Sequence, residues 1–176
     1  LTGAFEILAD MPASFSIQQR LILVRLLSQG AGASGMVAGQ AIDLASVGKD
    51  VDLAHLENMH AHKTGALIRI SVLMGAHCGE PSAETIEHLT TYANAIGLAF
   101  QVQDDILDIE SDTATLGKQQ GADLALNKPT YPALLGLDGA KEKAKQLHRV
   151  AINALENLSG DTSALVQLAD YIITRD

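Results

Sequence analysis

An all-α fold in a single unit is predicted by two features of the 176-residue sequence. Every long segment places apolar residues at three- and four-residue spacing, and no segment alternates apolar and polar residues for long enough to form a strand. No repeat, low-complexity tract or linker divides the chain.

Taken in order, residues 1–9 read as helix, stopped near Asp10-Met-Pro12. Ser14 and Ser16 are candidate caps for a helix over 17–28, whose Leu21, Val24 and Leu27 supply a wide apolar face ending at Gly30. Gly32, Gly35 and Gly39 punctuate an Ala-rich helix running to Ala45; each glycine costs about 1 kcal/mol of helix propensity but admits a close neighbour. Asp52 caps a helix to about Met59, and a separate helix runs over 64–77. Gly79-Glu-Pro-Ser82 is a turn with a cap. A long helix then spans 83–110, followed by a polar, irregular stretch over 111–128. Short and long helices over 132–137 and 138–158 and a last one over 163–175, after Asp161, complete the chain.

Hydrophobic residues make up 47% and charged residues 19%, which describes a folded chain with a substantial core. A net charge of −9 argues against nucleic acid or an anionic membrane as partner, and the absence of Trp removes the best base-stacking platform. The single cysteine, Cys78, permits no internal disulfide and reads as a small apolar residue, which fits a reducing compartment. No near-continuous apolar run of membrane-spanning length and no basic leader are apparent, so the expected location is the cytoplasm. Residues 1–8 already resemble a helix interior, which leads us to expect further chain upstream.

The most informative stretch is Gly97-Leu-Ala-Phe-Gln-Val-Gln-Asp-Asp-Ile-Leu-Asp108. On a helix, Gly97, Gln101, Asp104, Asp105 and Asp108 fall within one arc roughly 100° wide. The rest of the circumference is apolar, so the helix is expected to be buried with its carboxylates facing a cavity. Two carboxylates about 4 Å apart repel by roughly 4 kcal/mol at an effective dielectric near 20. A divalent cation removes that cost. With hard oxygen donors and neither Cys nor His in the cluster, Mg²⁺ or Mn²⁺ is favoured over zinc, and Mg²⁺ commonly shares its coordination shell with substrate phosphates. The competing reading is a solvated acidic face.

Basic positions accompany the stripe. Lys63-Thr64-Gly65 is expected at a helix start, where free N–H groups favour an anion. Lys118 lies between Gly117 and Gly121, and Lys128 closes the irregular stretch, which could fold over a metal-bound diphosphate. Individually these lysines could simply be solvated. Gln40 and Asp43 share a helix face, as cavity residues or as a hydrogen-bonded pair between packed helices. The histidines, including His55, His60 and His62, lack the phase for a metal site, and no Ser-His-Asp or Cys-His arrangement can be drawn.

At these residues the sequence resembles the trans-polyprenyl diphosphate synthases, most closely the bacterial farnesyl diphosphate synthases. The matching motifs occur in family order: Gly39-Gln-x-x-Asp43, Lys63-Thr64-Gly65, Phe100-Gln101-x-x-Asp104-Asp105-x-x-Asp108, Gly117-Lys118 with Gly121-Ala-Asp123, and Lys128-x-Thr-Tyr-Pro132. The resemblance implies an isoprenoid synthase-type helical bundle around a central cavity, usually a homodimer. It implies Mg²⁺-dependent coupling of an allylic diphosphate to isopentenyl diphosphate, giving farnesyl or another short-chain prenyl diphosphate. It further implies metal ligation by Asp104, Asp105 and Asp108, diphosphate contacts from Lys63, Lys118 and Lys128, cation-facing oxygens on Thr64 and Gln101, and Gln40 and Asp43 flanking the same cavity. The family's first aspartate-rich motif and its arginines are not found before Asp104. Residues 1–176 therefore look like the C-terminal portion of one synthase domain, without the determinant of product length, and are expected to be inactive alone. A terpene cyclase of the same superfamily and a non-catalytic partner subunit are the alternatives. The first is opposed by the Lys-Thr, Gly-Gln-x-x-Asp and Gly-Lys elements, the second by retention of the aspartates and lysines.

Overall fold

The computed structural model describes residues 1–110 and 129–175, and the described residues are helical with no strand. Helix α1 spans Thr2–Ala9, α2 Ile17–Ala31 and α3 Met36–Ser46. Then come α4 (Leu53–His60), a π-helical turn (Ala61–Gly65) and α5 (Ala66–His77), which together form one continuous helical rod. Helix α6 is Ala83–Glu110, α7 Tyr131–Glu156 and α8 Ser163–Thr174.

The termini follow the local chemistry. Ser16 and Gln19 form a reciprocal capping box on α2, and Asp52 accepts the His55 amide to start α4. Ser82 accepts the Thr85 amide before α6, and Asp161 accepts that of Ser163 before α8. The expected boundary between helices at 137 and 138 is a kink: Gly136 sits at φ 73°, a left-handed conformation that glycine alone adopts without strain. Cys78 is exposed rather than buried as a core residue.

Helix α6, about 42 Å long at 1.5 Å per residue, is the axis of the bundle. Its Leu89, Tyr92, Ala93, Ile96 and Ala99 pack with Leu73 of α5, Ala151 and Leu155 of α7, and Ala169 and Ile172 of α8. Farther along, Val102 and Ile106 join Leu56 and Met59 of α4 and Tyr131, Ala140 and Ala144 of α7 in a second cluster. A third, formed by Leu8, Leu23, Leu27 and Ile70, holds α1 and α2 on α5. The Tyr92 hydroxyl, fully buried, donates to the Leu165 carbonyl at 2.7 Å and ties α6 to α8.

Two glycines set how closely the rod is approached. A Cβ at Gly39 of α3 would collide with the backbone of Lys63, and one at Gly97 of α6 would stand 3.1 Å from Gly65 Cα. The π turn is thus gripped between two helices at backbone distance.

The segment Ile17–Ser46 is, on length and composition alone, apolar enough to cross a membrane, contrary to the expectation of no such stretch. Here it is two helices, because the backbone leaves helical geometry at Gly32 and Gly35. Exposed Ile17, Leu21, Val37 and Leu44 lie along it.

Replacing Tyr92 with Phe leaves the Leu165 carbonyl without its buried donor and is expected to cost about 1–2 kcal/mol in urea unfolding. Gly39→Val should cost about 3 kcal/mol, at the upper end for overpacking, because its neighbour is backbone and cannot rotate aside. Gly97→Ala should cost less. Equal losses would mean that the approach to the π turn does not govern packing here.

Candidate active site

Where the two grips on the π turn meet α6, the structure opens a polar cavity of about 210 Å³, lined by Asp43, Met59, His60, Lys63, Gln101, Asp104, Asp105, Pro129 and Thr130. Five residues singled out from sequence, Asp43, Lys63, Gln101, Asp104 and Asp105, therefore share one wall system although they come from two helices and the π turn. Thr64 joins them through its hydroxyl, which donates to Gln101 Oε1 at 3.2 Å.

The expectation that Lys63 begins a helix is corrected. The backbone is helical at His60, Ala61, Gly65 and Ala66, and α4, the π turn and α5 follow one another without a break, so residues 63–65 lie within a continuous rod and offer no free N-terminus to an anion. What distinguishes the segment is its π turn, an expanded turn of the kind common at functional sites. It carries Lys63, which lines the cavity, and Thr64, whose hydroxyl donates to the lining residue Gln101. Lys63 Nζ lies 2.7 Å from Asp43 Oδ2, both half-exposed. Its charge is balanced yet remains accessible to a competing anion.

The aspartates of α6 separate into three environments. Asp104 is half-exposed at the cavity, with Oδ1 3.6 Å from the Arg175 guanidinium. Asp105 lines the cavity too, but its Oδ2 accepts the Tyr131 amide at 2.9 Å, holding the N-terminus of α7. Asp108 is only 2% exposed and is not among the lining residues. Charge repulsion within the stripe is thus relieved in part by Arg175 and by a helix N-terminus. No three His, Cys, Asp or Glu side chains among the described residues are gathered to hold a metal ion. Gln40 is exposed and also outside the cavity lining. Lys118 and Lys128, together with Gly117, Gly121 and Asp123, lie outside the described residues.

Even so, the donor set fits Mg²⁺. That ion is usually held through one or two carboxylates, waters and substrate phosphates rather than by an all-protein cage, and Asp104 and Asp105 present hard oxygens to the cavity.

Sequence reasoning set His60 aside, gave Tyr131 no role beyond its place in a motif, and missed Arg175 altogether. The His60 and Tyr131 rings stack with centroids 5.6 Å apart, joining α4 to α7. Burial pushes the His60 imidazole down to about 4, outweighing the nearby Gln101 side chain, which favours the charged form; Lys63 lowers it further. Neither ring nitrogen has a hydrogen-bond partner among the described residues. Burial likewise raises the Tyr131 phenol. The signal for His60 was its apolar company of Leu56 and Met59; Arg175 had no local signal.

Because the unfolded chain binds the His60 proton near 6.5 and the folded one near 4, this residue's contribution is complete above pH 6.5 and is lost as pH falls toward 4. Unfolding free energy of the metal-free protein should drop by about 2 kcal/mol from His60 alone between pH 7 and pH 5. In His60→Asn that part of the slope should vanish; an unchanged slope would show that burial does not hold the ring neutral.

Residues 1–168 match the family model described as polyprenyl synthetase. The farnesyl diphosphate synthase of Haemophilus influenzae is 51% identical over 98% of the chain, and that of Escherichia coli 52% over 99%. The chain spans 58% and 60% of those two proteins. Among solved structures, an apo FPP/GFPP synthase from Zymomonas mobilis superposes with a TM-score of 0.83 at 35% identity, covering 97% of this chain and 57% of that one. A geranyltransferase from Helicobacter pylori, complexed with magnesium and isoprenyl diphosphate, gives 0.80 at 32%, covering 98% and 55%. Both show the helical isoprenoid synthase architecture. With Asp43, Lys63, Gln101, Asp104 and Asp105 of the described motifs lining one cavity and the family model matched over nearly its whole length, the chain belongs to the polyprenyl synthetase family.

Proposed function

We propose that this chain forms the C-terminal part of a Mg²⁺-dependent short-chain prenyltransferase, which condenses an allylic diphosphate with isopentenyl diphosphate. The observation that carries the reading is the cavity itself, where Asp104 and Asp105 of α6 face Lys63 of the π turn. Carboxylates for a cation and an ammonium for an anion across one small space are what a metal–diphosphate pair requires. Farnesyl diphosphate is the favoured product, since identity to the farnesyl synthases, 51% and 52%, exceeds the 43% to a chloroplastic geranylgeranyl synthase from Catharanthus roseus.

In this reading the allylic C1–O bond breaks and its electron pair leaves with the diphosphate. The isopentenyl double bond then attacks C1, and loss of a proton from the adduct restores a double bond. Lys63 exchanges Asp43 for diphosphate oxygens, and Thr64 and Gln101 turn their oxygens toward the developing allylic charge. Asp104 and Asp105 would hold the metal, which when bound supplies neutralisation of the departing diphosphate. Until the diphosphate arrives, Asp43 keeps Lys63 at the cavity. Lys118 and Lys128 are assigned to the diphosphate as well, on the resemblance of their motifs. Asp108 and Gln40 support from outside the lining. A cytoplasmic homodimer completes the proposal, supported by the exposed apolar residues of α2 and α3.

Inorganic pyrophosphate should bind the full-length protein measurably only with Mg²⁺, and Asp104→Ala should weaken that binding at least about tenfold, or 1.4 kcal/mol. Equal binding with and without Mg²⁺ would overturn the assignment.

A further inference from the structure

Arg175 lies immediately beyond α8, where the backbone becomes extended, and its amide donates to the Tyr171 carbonyl. Its guanidinium reaches back across α6. It lies 4.0 Å from the centre of the Phe100 ring, its Nη2 donates to the Phe100 carbonyl at 3.1 Å, and the same nitrogen stands 3.6 Å from Asp104 Oδ1. Gln103 Nε2 approaches the Arg175 carbonyl at 3.4 Å. The Phe100 carbonyl is the helical partner of the Asp104 amide, so Arg175 spans the turn of α6 that carries Asp104.

The placement is asymmetric. The arginine side chain is 16% exposed whereas that of Asp104 is 50% exposed, so a fixed cation backs a carboxylate whose other side is open to the cavity. Arg175 Nε is buried without a hydrogen bond among the described residues, so ring stacking, one carbonyl and the charge hold the side chain. Guanidinium stays charged at any working pH. Whatever binds Asp104 binds against a permanent positive charge about one contact away.

We infer that Arg175 makes divalent-cation binding at Asp104 depend on diphosphate, by setting a fixed positive charge against the free cation that an accompanying anion offsets. The inference rests on the metal–diphosphate reading above. A bare Mg²⁺ or Mn²⁺ ion at Asp104 meets like charge from Arg175. When the metal arrives with a diphosphate, the anion's negative charge faces both cations and the penalty disappears. Arg175 is thus a residue that acts through Asp104 to enforce joint loading, and it disfavours idle occupation of the site by metal alone.

The test is Mn²⁺ binding to the full-length protein, followed by electron paramagnetic resonance with and without inorganic pyrophosphate. The component lost in Asp104→Ala defines the site. Arg175→Gln should tighten this component without pyrophosphate by about three- to tenfold, the scale of a screened unit charge at this distance, and change it much less with pyrophosphate. Arg175→Lys, which keeps the charge, should stay near the parent. Weakening by Arg175→Gln in both conditions would show a merely structural role, and no change in either would show an incidental contact; both overturn the inference. Absence of any Asp104-dependent component in the parent, with pyrophosphate present, would instead overturn the metal–diphosphate reading itself.

Discussion

The candidate site depends on how closely α3 and α6 approach the π turn. Gly39 and Gly97 remove the side chains that would hold those helices away, and a backbone at contact distance from Lys63 and Gly65 is the result. Asp43 sits one turn beyond Gly39, and Gln101 one turn beyond Gly97. The same approach that packs the helices therefore delivers Asp43 to Lys63 and Gln101 to Thr64. Packing and chemistry share these contacts, so the geometry of the site is as rigid as the backbone beneath it.

Much of this was legible in the sequence because it is local. The caps at Ser16, Asp52, Ser82 and Asp161 each follow from a few neighbouring residues, and the structure places them accordingly, while the helix boundary expected between 137 and 138 is found as a kink at Gly136. Lys63, Gln101 and Asp104, which stand out in sequence as polar residues in largely apolar surroundings, are found together at one cavity. Three things were not legible. The π turn enters and leaves with helical φ/ψ at His60 and Ala66 and differs in hydrogen-bond register, which leaves no composition signal. Asp105 reaches the Tyr131 amide across 26 positions, and Arg175 reaches Phe100 across 75; such pairings exist only once the helices have packed. Cys78 was misread because an apolar sequence neighbourhood does not fix which face of a helix end is covered.

The charges at the cavity are arranged as pairs. Lys63 is matched by Asp43 and Arg175 by Asp104, while Asp105 is engaged by the start of α7. Each ion pair is partly solvated, so it contributes modestly to stability and can exchange partners at small cost. A site of this kind can stay folded empty and still release an ammonium to an anion and a carboxylate to a cation. Fully buried pairs would not serve, since separating them leaves an uncompensated charge in a dry interior.

Helix α6 also violates a local rule. Asp104, Asp105, Asp108 and Glu110 crowd its C-terminal end, where the macrodipole is negative and basic residues are favoured, and its last turn contains no basic residue. On propensity alone this end should fray. The structure supplies the missing positive charge from elsewhere: Arg175 to Asp104, the N-terminal amide of α7 to Asp105, and Lys141 to Glu110 at 2.6 Å. Because α7 begins where α6 needs a positive dipole end, the two helices are joined at the cavity electrostatically as well as by the packing of Val102 and Ile106. A sequence that keeps so unfavourable an end, and recruits two other helices to hold it, is constrained by something other than stability. Local conflict of this sort, compensated from a distance, is expected where carboxylates are kept for a ligand.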